Sequence, residues 1–520
     1  MRSGVNLVDL LNLDLTSPSF GMMVPQLIIF GLALVLMLGD AFFPRRTHYN
    51  LLTGVSLVGY AASLIAIYIQ RNDTGTSFQG VFRQDGLTVF LCAIILIAAI
   101  LTVMVSATYV EYLEGKMQIG EYYVLLAFAV LGAMLTASAG DLIMVFVGIE
   151  LSALATYILT AFAKRRESSM EGALKYFLLG IFASAILVYG MAWLYGLTGS
   201  TNLDTIAAHI AQSTAGANHL EPSILLALLL LVVGLGFKIA AVPFHMWTPD
   251  AYDGAPTPVT AYMSVIPKAA GFAAIVRILI QGLGPLRDDW YMLIAILALL
   301  TMVFGNLVAI SQRNVKRMLA YSSIAHTGYM MVGVAAYEAL GAGFGGSVGA
   351  QDAVSSLLYY MLAYTFMNIG AFAVVAWIQH RGAGMNLEDF HGLSSRQPLA
   401  AAAMAIFMVS LMGIPPLIGF YAKYYVILAA IQADMLWLAI SVVFASAISA
   451  YFYLRVVAVM YFNPAPEKEL APFRTQLLNI SIAGMVVANI LLGIFSQRVI
   501  DLADKWTNAL TIANQVASLK

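Results

Sequence analysis

The 520-residue sequence has one cysteine, little charge and no close pair of histidines. Cys92 alone cannot supply an iron–sulfur cluster or a disulfide framework. Lying inside an apolar run, it reads as a small core side chain. Charged residues make up 10% of the chain, where a soluble domain carries about 25%. The 26 basic and 27 acidic residues leave a formal net charge of -1, which gives no basic surface for nucleic acid. His48, His209, His219, His245, His326, His380 and His391 show no metal or haem spacing, so redox chemistry would have to reside on another polypeptide. Gly341-Ala342-Gly343-Phe344-Gly345-Gly346 matches a dinucleotide fingerprint but lacks the preceding strand. It reads as a loop.

What the chain has is apolar length: 61% of it is hydrophobic, in recurring runs of about twenty residues, the signature of spanning helices. The expected fold class is an all-α polytopic membrane protein, since lipid obliges each segment to satisfy its own backbone. We read about 14 transmembrane helices, over 22–43, 51–70, 86–109, 121–139, 141–163, 173–196, 223–242, 257–281, 289–310, 316–337, 353–380, 399–431, 434–461 and 475–496. The first twenty residues carry Asp9 and Asp14 and do not resemble a removable signal peptide.

An even number of crossings places both termini on one side, and the basic residues of the loops choose which. Alternate loops collect Arg45, Arg46, Lys116, Lys164, Arg165, Arg166, Arg313, Lys316, Arg317, Arg381, Arg396, Lys468 and Arg474, thirteen in all. The opposite side has seven: Arg2, Arg71, Arg83, Arg287, Arg498, Lys505 and Lys520. The loops 198–222 and 338–352 have none. By the positive-inside rule both termini face away from the cytoplasm.

Six basic residues remain inside spans. Lys175, Arg277 and Arg455 lie nearer helix ends, where a long side chain snorkels to the headgroups. Lys238, Lys268, Lys423 and the acidic Glu150 sit many residues from a loop. Each costs about 2.5–3.5 kcal/mol at mid-membrane unless it faces a partner or water. They serve either as ion pairs holding helices together or as a functional path, and intramembrane ionisable groups default to the second.

Polar stripes favour that path. Thr260, Ser264 and Lys268 share a face of the eighth helix, as do Tyr360, Tyr364 and Asn368 on the eleventh. In the fifth helix Glu150 shares a face with Tyr157, beside a strip of Ser152, Thr156 and Thr160. The tenth carries Tyr321-Ser322-Ser323 and then His326, the side chain suited to exchanging protons near neutral pH. Breakers add to this: Gly236-to-His245 contains Lys238 and Pro243, and Gly413-to-Lys423 contains Pro415 and Pro416. Irregular backbone at membrane depth belongs inside protein or beside a cavity.

Two breaks five spans apart suggest repeated halves. The expected organisation is an N-terminal three-helix segment over 1–120, a five-helix unit over 121–281 (helices 4–8) and a second, inverted one over 289–461 (helices 9–13). Residues 462–520 would hold helix 14 and an amphipathic tail. That tail, with Val499, Leu502, Trp506, Leu510, Ala513 and Ala517 in helical register, reads as a membrane-surface helix or a docking segment for a neighbour. Burial disfavours the charged form of a lysine and a nearby carboxylate favours it. Glu150–Lys238 is therefore expected to gate, Lys268 and His326 to relay, and Lys423 to pass the proton on.

Gly172-to-Gly180, Pro243-to-Thr260, Lys316-to-His326 and Gly413-to-Lys423 carry a resemblance that covers nearly the whole chain. It is to the antiporter-like membrane subunits of respiratory complex I, the bacterial NADH–quinone oxidoreductase, and within them to the subunit N family. The resemblance implies fourteen helices, two inverted five-helix units and a hydrophilic axis along the membrane. It places the family's proton-translocating residues on Glu150, Lys238, Lys268 and Lys423. The similar subunit M carries glutamate at the last position, and subunit L has a long lateral helix for which this chain has no room.

The resemblance also implies a translocase subunit in a bacterial cell (inner) membrane, with no cofactor of its own. NAD, FMN, iron–sulfur clusters and quinone are expected on partner subunits. The expected partners are the antiporter-like subunit M, small membrane subunits and the lipid bilayer. Two other readings remain at this stage. A subunit of an Mrp-type cation/proton antiporter shares the fold, and a stand-alone solute transporter would bind substrate at the midplane breaks.

Overall fold

The structure is a computed structural model that describes residues 18–42, 48–113, 120–214, 222–337, 349–382, 384–466 and 476–506. In chain order the helices are α1 (Pro18–Gly21), α2 (Val24–Phe42), α3 (His48–Ile69), α4 (Gly86–Leu113), α5 (Gly120–Ala137), α6 (Leu142–Thr160), α7 (Glu167–Thr198), α8 (Leu203–Thr214), α9 (Pro222–Lys238) and α10 (Thr248–Gly254). They continue as α11 (Thr257–Ile275), α12 (Arg287–Ser311), α13 (Val315–Ala335), α14 (Gly349–His380), α15 (Leu393–Arg396), α16 (Pro398–Met412), α17 (Ile418–Gln432), α18 (Leu436–Phe462) and α19 (Gln476–Ile494). A further helical stretch covers 496–506.

Among the described residues eleven helices are long and apolar enough to cross a membrane. The protein is thus an all-α polytopic membrane protein. Helices α9, α16 and α17 are apolar but shorter, because breaks divide the runs expected over 223–242 and 399–431. Helix α13 has 21 residues but is too polar to stand out by hydropathy, with Lys316, Arg317, Ser322, Ser323, His326 and Thr327 along it. It survives because nearly every one of its residues is covered by neighbouring helices. Helices α11 and α14 are similarly enclosed, and the three form the centre of the molecule.

Small residues bring the central helices together. A Cβ on Gly132 of α5 would lie 2.5 Å from the Ser152 nitrogen of α6, and one on Gly148 of α6 would lie 2.8 Å from the Thr136 nitrogen of α5. The pair α12 and α13 repeats this reciprocal contact through Gly305 and Gly328, with approaches of 2.6 Å and 2.5 Å to the nitrogens of Ala325 and Met302.

Several connections differ from expectation. The expected loop 198–222 contains α8, which buries Leu203, Ile206 and Ile210 on one face. Residues 75–84 form a short antiparallel hairpin, Gly75–Ser77 against Phe82–Gln84, turning through Phe78, Gln79 and Gly80 at positive φ. The expected helix 257–281 changes pitch: after α11 a π-helical turn covers Val276–Gly282. The stretch 496–506 is helical and packs within the chain. It folds back on α4, burying Ile500 and Ala503 and setting Trp506 edge-on to Phe90 at 5.6 Å. The N-terminal stretch 1–17, the Gly341-to-Gly346 motif and residues 507–520 lie outside the described residues.

Candidate functional site: a buried chain of ionisable side chains

The first cluster forms where α6, α7 and α9 meet. Lys238, the last residue of α9, places Nζ 2.7 Å from Oε1 of Glu150. Ser184 of α7 donates to the same carboxylate oxygen at 2.5 Å and accepts from Lys238 Nζ at 3.1 Å. The expected pair is thus a triad closed by a serine that helical periodicity does not single out. Removing the hydroxyl deletes a hydrogen bond to a charged group, worth about 1.5–3 kcal/mol. If the cluster serves the expected proton path, Ser184→Ala should leave assembly intact and lower proton translocation by membrane vesicles several-fold, whereas Ser184→Thr should keep it. Tyr157, on the same face as Glu150, stacks edge-on to Tyr176 at 4.5 Å, and its buried hydroxyl has no protein partner.

Lys238 marks a break. Pro243 has no N–H to give the carbonyl four residues earlier, that of Ile239. Thr327 of α13 fills the gap, donating to the Ile239 oxygen at 2.9 Å. The second break follows the same rule. Pro416 deprives the Met412 carbonyl, and Lys423 of α17 donates to it at 2.8 Å. Gly413 turns this corner at φ 91°, and a Cβ there would meet Lys423 Cδ at 2.9 Å, so both backbone and contact call for glycine. The Lys423 ammonium also lies 4.9 Å from the ring centre of Tyr329.

Between the breaks stands Lys268 of α11, 3% exposed. Its Nζ donates to the carbonyl oxygen of Ser323, to Ser323 Oγ at 2.6 Å and to Thr327 Oγ1 at 2.8 Å. One turn away, His326 is held at both ring nitrogens, by Tyr360 Oη at 2.8 Å and Tyr453 Oη at 3.1 Å; Tyr453 in turn meets Ser322 Oγ. Ser323, His326, Thr327 and Tyr329 thus make α13 the spine along which Lys268, the first break and Lys423 are arranged. Of the other stripe residues, Thr260 and Ser264 spend their hydroxyls on the backbone oxygens of Tyr252 and Ala261. Both side-chain polar atoms of buried Asn368 lack protein partners.

Two basic residues, Arg277 and Lys316, behave differently from expectation. Arg277 does not snorkel. It is fully buried in the π-helical turn and paired through two nitrogens with Asp85, at 2.6 and 2.8 Å. Lys316, expected in a loop, is buried at the start of α13, donating to the backbone oxygens of Asp253 and Ala255. Arg455 donates to the carbonyls of Ile310 and Gln312 at the end of α12. Lys175 is partly exposed and bridges Glu171 and Asp250. Among the described residues, no group of three or more His, Cys, Asp or Glu side chains could hold a metal ion.

Broken helices around buried lysines define a membrane protein of the antiporter-like class, and comparison with known proteins agrees. Residues 139–449 match the family described as NADH:quinone oxidoreductase/Mrp antiporter, TM. NADH-quinone oxidoreductase subunit N of Trichlorobacter lovleyi is 42% identical over 479 residues, covering 91% of this chain and 94% of that one. Subunit N of Chloroflexus aggregans is 43% identical over 489 residues, covering 93% and 96%. A chain of respiratory complex I from Thermus thermophilus superposes with a TM-score of 0.75 at 32% identity, covering 92% of this chain and all of that one. A chain of the Mrp complex from Dietzia superposes at 0.80 but with 20% identity, over 96% and 98% of the two chains. That last likeness concerns the fold alone. The protein belongs to the NADH–quinone oxidoreductase/Mrp antiporter family, in its subunit N branch. It is a bacterial multi-pass inner-membrane protein.

Proposed function

We propose that this chain is a proton-translocating membrane subunit of NADH–quinone oxidoreductase, coupling NADH oxidation by quinone to proton export. The observation that carries the reading is the Glu150–Lys238 pair, 2.7 Å apart and set against a helix break. A carboxylate in contact with a buried lysine stabilises its proton, and movement of the break relative to α6 would release it. Lys268 and His326 then relay along α13, and Lys423 passes the proton on. Each of these side chains has a hydrogen-bonding partner on a neighbouring segment.

The chain is read as fourteen crossings, with five-helix units over 121–281 and 289–461 inverted relative to one another, flanked by 1–120 and 462–520. Two matching features support the repeat: the reciprocal glycine contacts of α5/α6 and α12/α13, and the proline-orphaned carbonyls at Ile239 and Met412. Both termini face away from the cytoplasm; the buried Lys316 leaves the count of basic residues, and the bias persists. The partners are the antiporter-like subunit M and small membrane subunits, with NAD, FMN, iron–sulfur clusters and quinone on other chains.

Affinity purification of the tagged chain from its own membranes tests the reading. Flavin and iron–sulfur absorbance should travel with it, and vesicles should acidify on addition of NADH. Co-purification of antiporter subunits without any redox centre would establish the Mrp-type reading instead.

A further inference from the structure

We propose that Thr327 is a positioning residue that reports the protonation of Lys268 to the helix break beside Lys238. The inference rests on the proton-path reading for its physiological meaning, but the hydrogen-bond link it describes stands on geometry alone.

A lysine ammonium has three donors and no acceptor. At Lys268 all three are spent, on the Ser323 carbonyl, Ser323 Oγ and Thr327 Oγ1. Facing this ammonium, Thr327 can only accept, so its own hydrogen must point elsewhere. The nearer acceptor is the Ile239 oxygen at 2.9 Å; the alternative, Ser323 oxygen, lies at 3.2 Å and already receives Lys268. Ile239 in turn depends on this donor, because Pro243 denies it the amide of a regular helix. The charged lysine therefore orients the hydroxyl that closes the break, one residue beyond Lys238.

Loss of the proton reverses the polarity. The neutral amine keeps two N–H donors, which stay on the carbonyl and hydroxyl oxygens of Ser323, and turns its lone pair toward Thr327 Oγ1, 2.8 Å away. The hydroxyl hydrogen turns toward Nζ, stays bonded to its own oxygen throughout, and leaves the Ile239 carbonyl unpaired. An unpaired buried carbonyl is unfavourable, so the segment 239–242 loosens or repacks, carrying Lys238 relative to Glu150. The titratable groups facing Lys268 are Tyr364 of α14, its ring centre 5.8 Å from Nζ, and His326 of α13. Neither forms a hydrogen bond to Thr327 that would substitute for this link.

Hydrogen–deuterium exchange of the 236–247 region in the intact membrane complex tests the link. Thr327→Val keeps the shape and removes the hydroxyl; Lys268→Gln replaces the ammonium with a carboxamide, whose N–H2 serves the Ser323 carbonyl and whose oxygen accepts from Thr327. Both should raise exchange at Ala240, Ala241 and Val242 by about tenfold, the loss of one hydrogen bond. Thr327→Ser should match the wild type, and the Thr327→Val/Lys268→Gln double variant should add nothing to either single change. Wild-type exchange in Thr327→Val overturns the proposal. If that variant does not assemble, wild-type exchange in Lys268→Gln overturns it equally. Proton translocation read in the same membranes separates the two ideas. Lysine variants that pump normally while the break loosens remove the proton path but keep the link; blocked lysine variants beside an unchanged break remove the link alone.

Discussion

Lys238→Ala is expected to abolish proton translocation while the complex still assembles, and Lys238→Arg is expected to do the same. The second variant gives the first its meaning. Alanine removes both the charge and the proton carrier, leaving Glu150 with Ser184 as its remaining partner. Breaking a buried pair costs about 3–5 kcal/mol, but the Glu150 side chain is 20% exposed, so the stability loss falls at or below the low end. Arginine keeps the pair, since a guanidinium binds a carboxylate well, yet it does not give up its proton in a protein. A merely structural ion pair tolerates arginine; a relay does not. Loss of a positioned proton carrier lowers a rate by about 10²–10⁴, so dye-monitored acidification of inverted vesicles, expressed per NADH oxidised, should fall to background for both variants. Wild-type pumping with arginine would reduce Glu150–Lys238 to helix glue.

The sequence makes the ionisable members of the path legible because the membrane penalises them. Glu150, Lys238, Lys268 and Lys423 stand out against apolar runs for an energetic reason, and the structure brings Glu150 and Lys238 into contact. The breaks are legible too, since proline removes a donor wherever it falls. Several of the hydrogen-bonding residues are not, although Ser323 and Tyr360 are. Ser184, Thr327 and Tyr453 are ordinary in a spanning helix, where serine and threonine satisfy themselves on neighbouring backbone and tyrosine adds apolar area. Only three-dimensional packing shows that Ser184 faces Glu150 and Thr327 faces Ile239. The same limit explains α8 and the folded-back 496–506, whose apolar faces are too short or too weak to announce what they cover. The burial of Arg277 is hidden from the sequence for a related reason. Nearness to a helix end permits snorkelling, but the matching acid, Asp85, lies 192 positions away in sequence.

Arg277→Met is expected to be the most destabilising single change outside the proton path. One guanidinium joins three pieces of the fold. It holds both oxygens of Asp85, which accepts from the Thr88 amide at 2.8 Å and so caps the start of α4. It donates twice to the carbonyl of Ala137, the last residue of α5, and once to Gln281 Oε1 within its own π-helical turn, at 3.0 Å. Methionine fills much of the same volume but leaves the Asp85 carboxylate buried without its guanidinium partner. The cost of such an uncompensated charge is about 3–5 kcal/mol, enough to lower the amount of chain in the membrane and the unfolding temperature of the purified complex. Pairing Arg277→Met with Asp85→Asn should recover most of that loss. Asparagine caps a helix about as well as aspartate, so the double variant keeps the Thr88 contact and removes the stranded charge. Failure of the double variant to recover would shift the weight from the ion pair to the Ala137 carbonyl, and Arg277→Lys, which restores a donor there without the two-pronged grip on Asp85, would then be the better rescue.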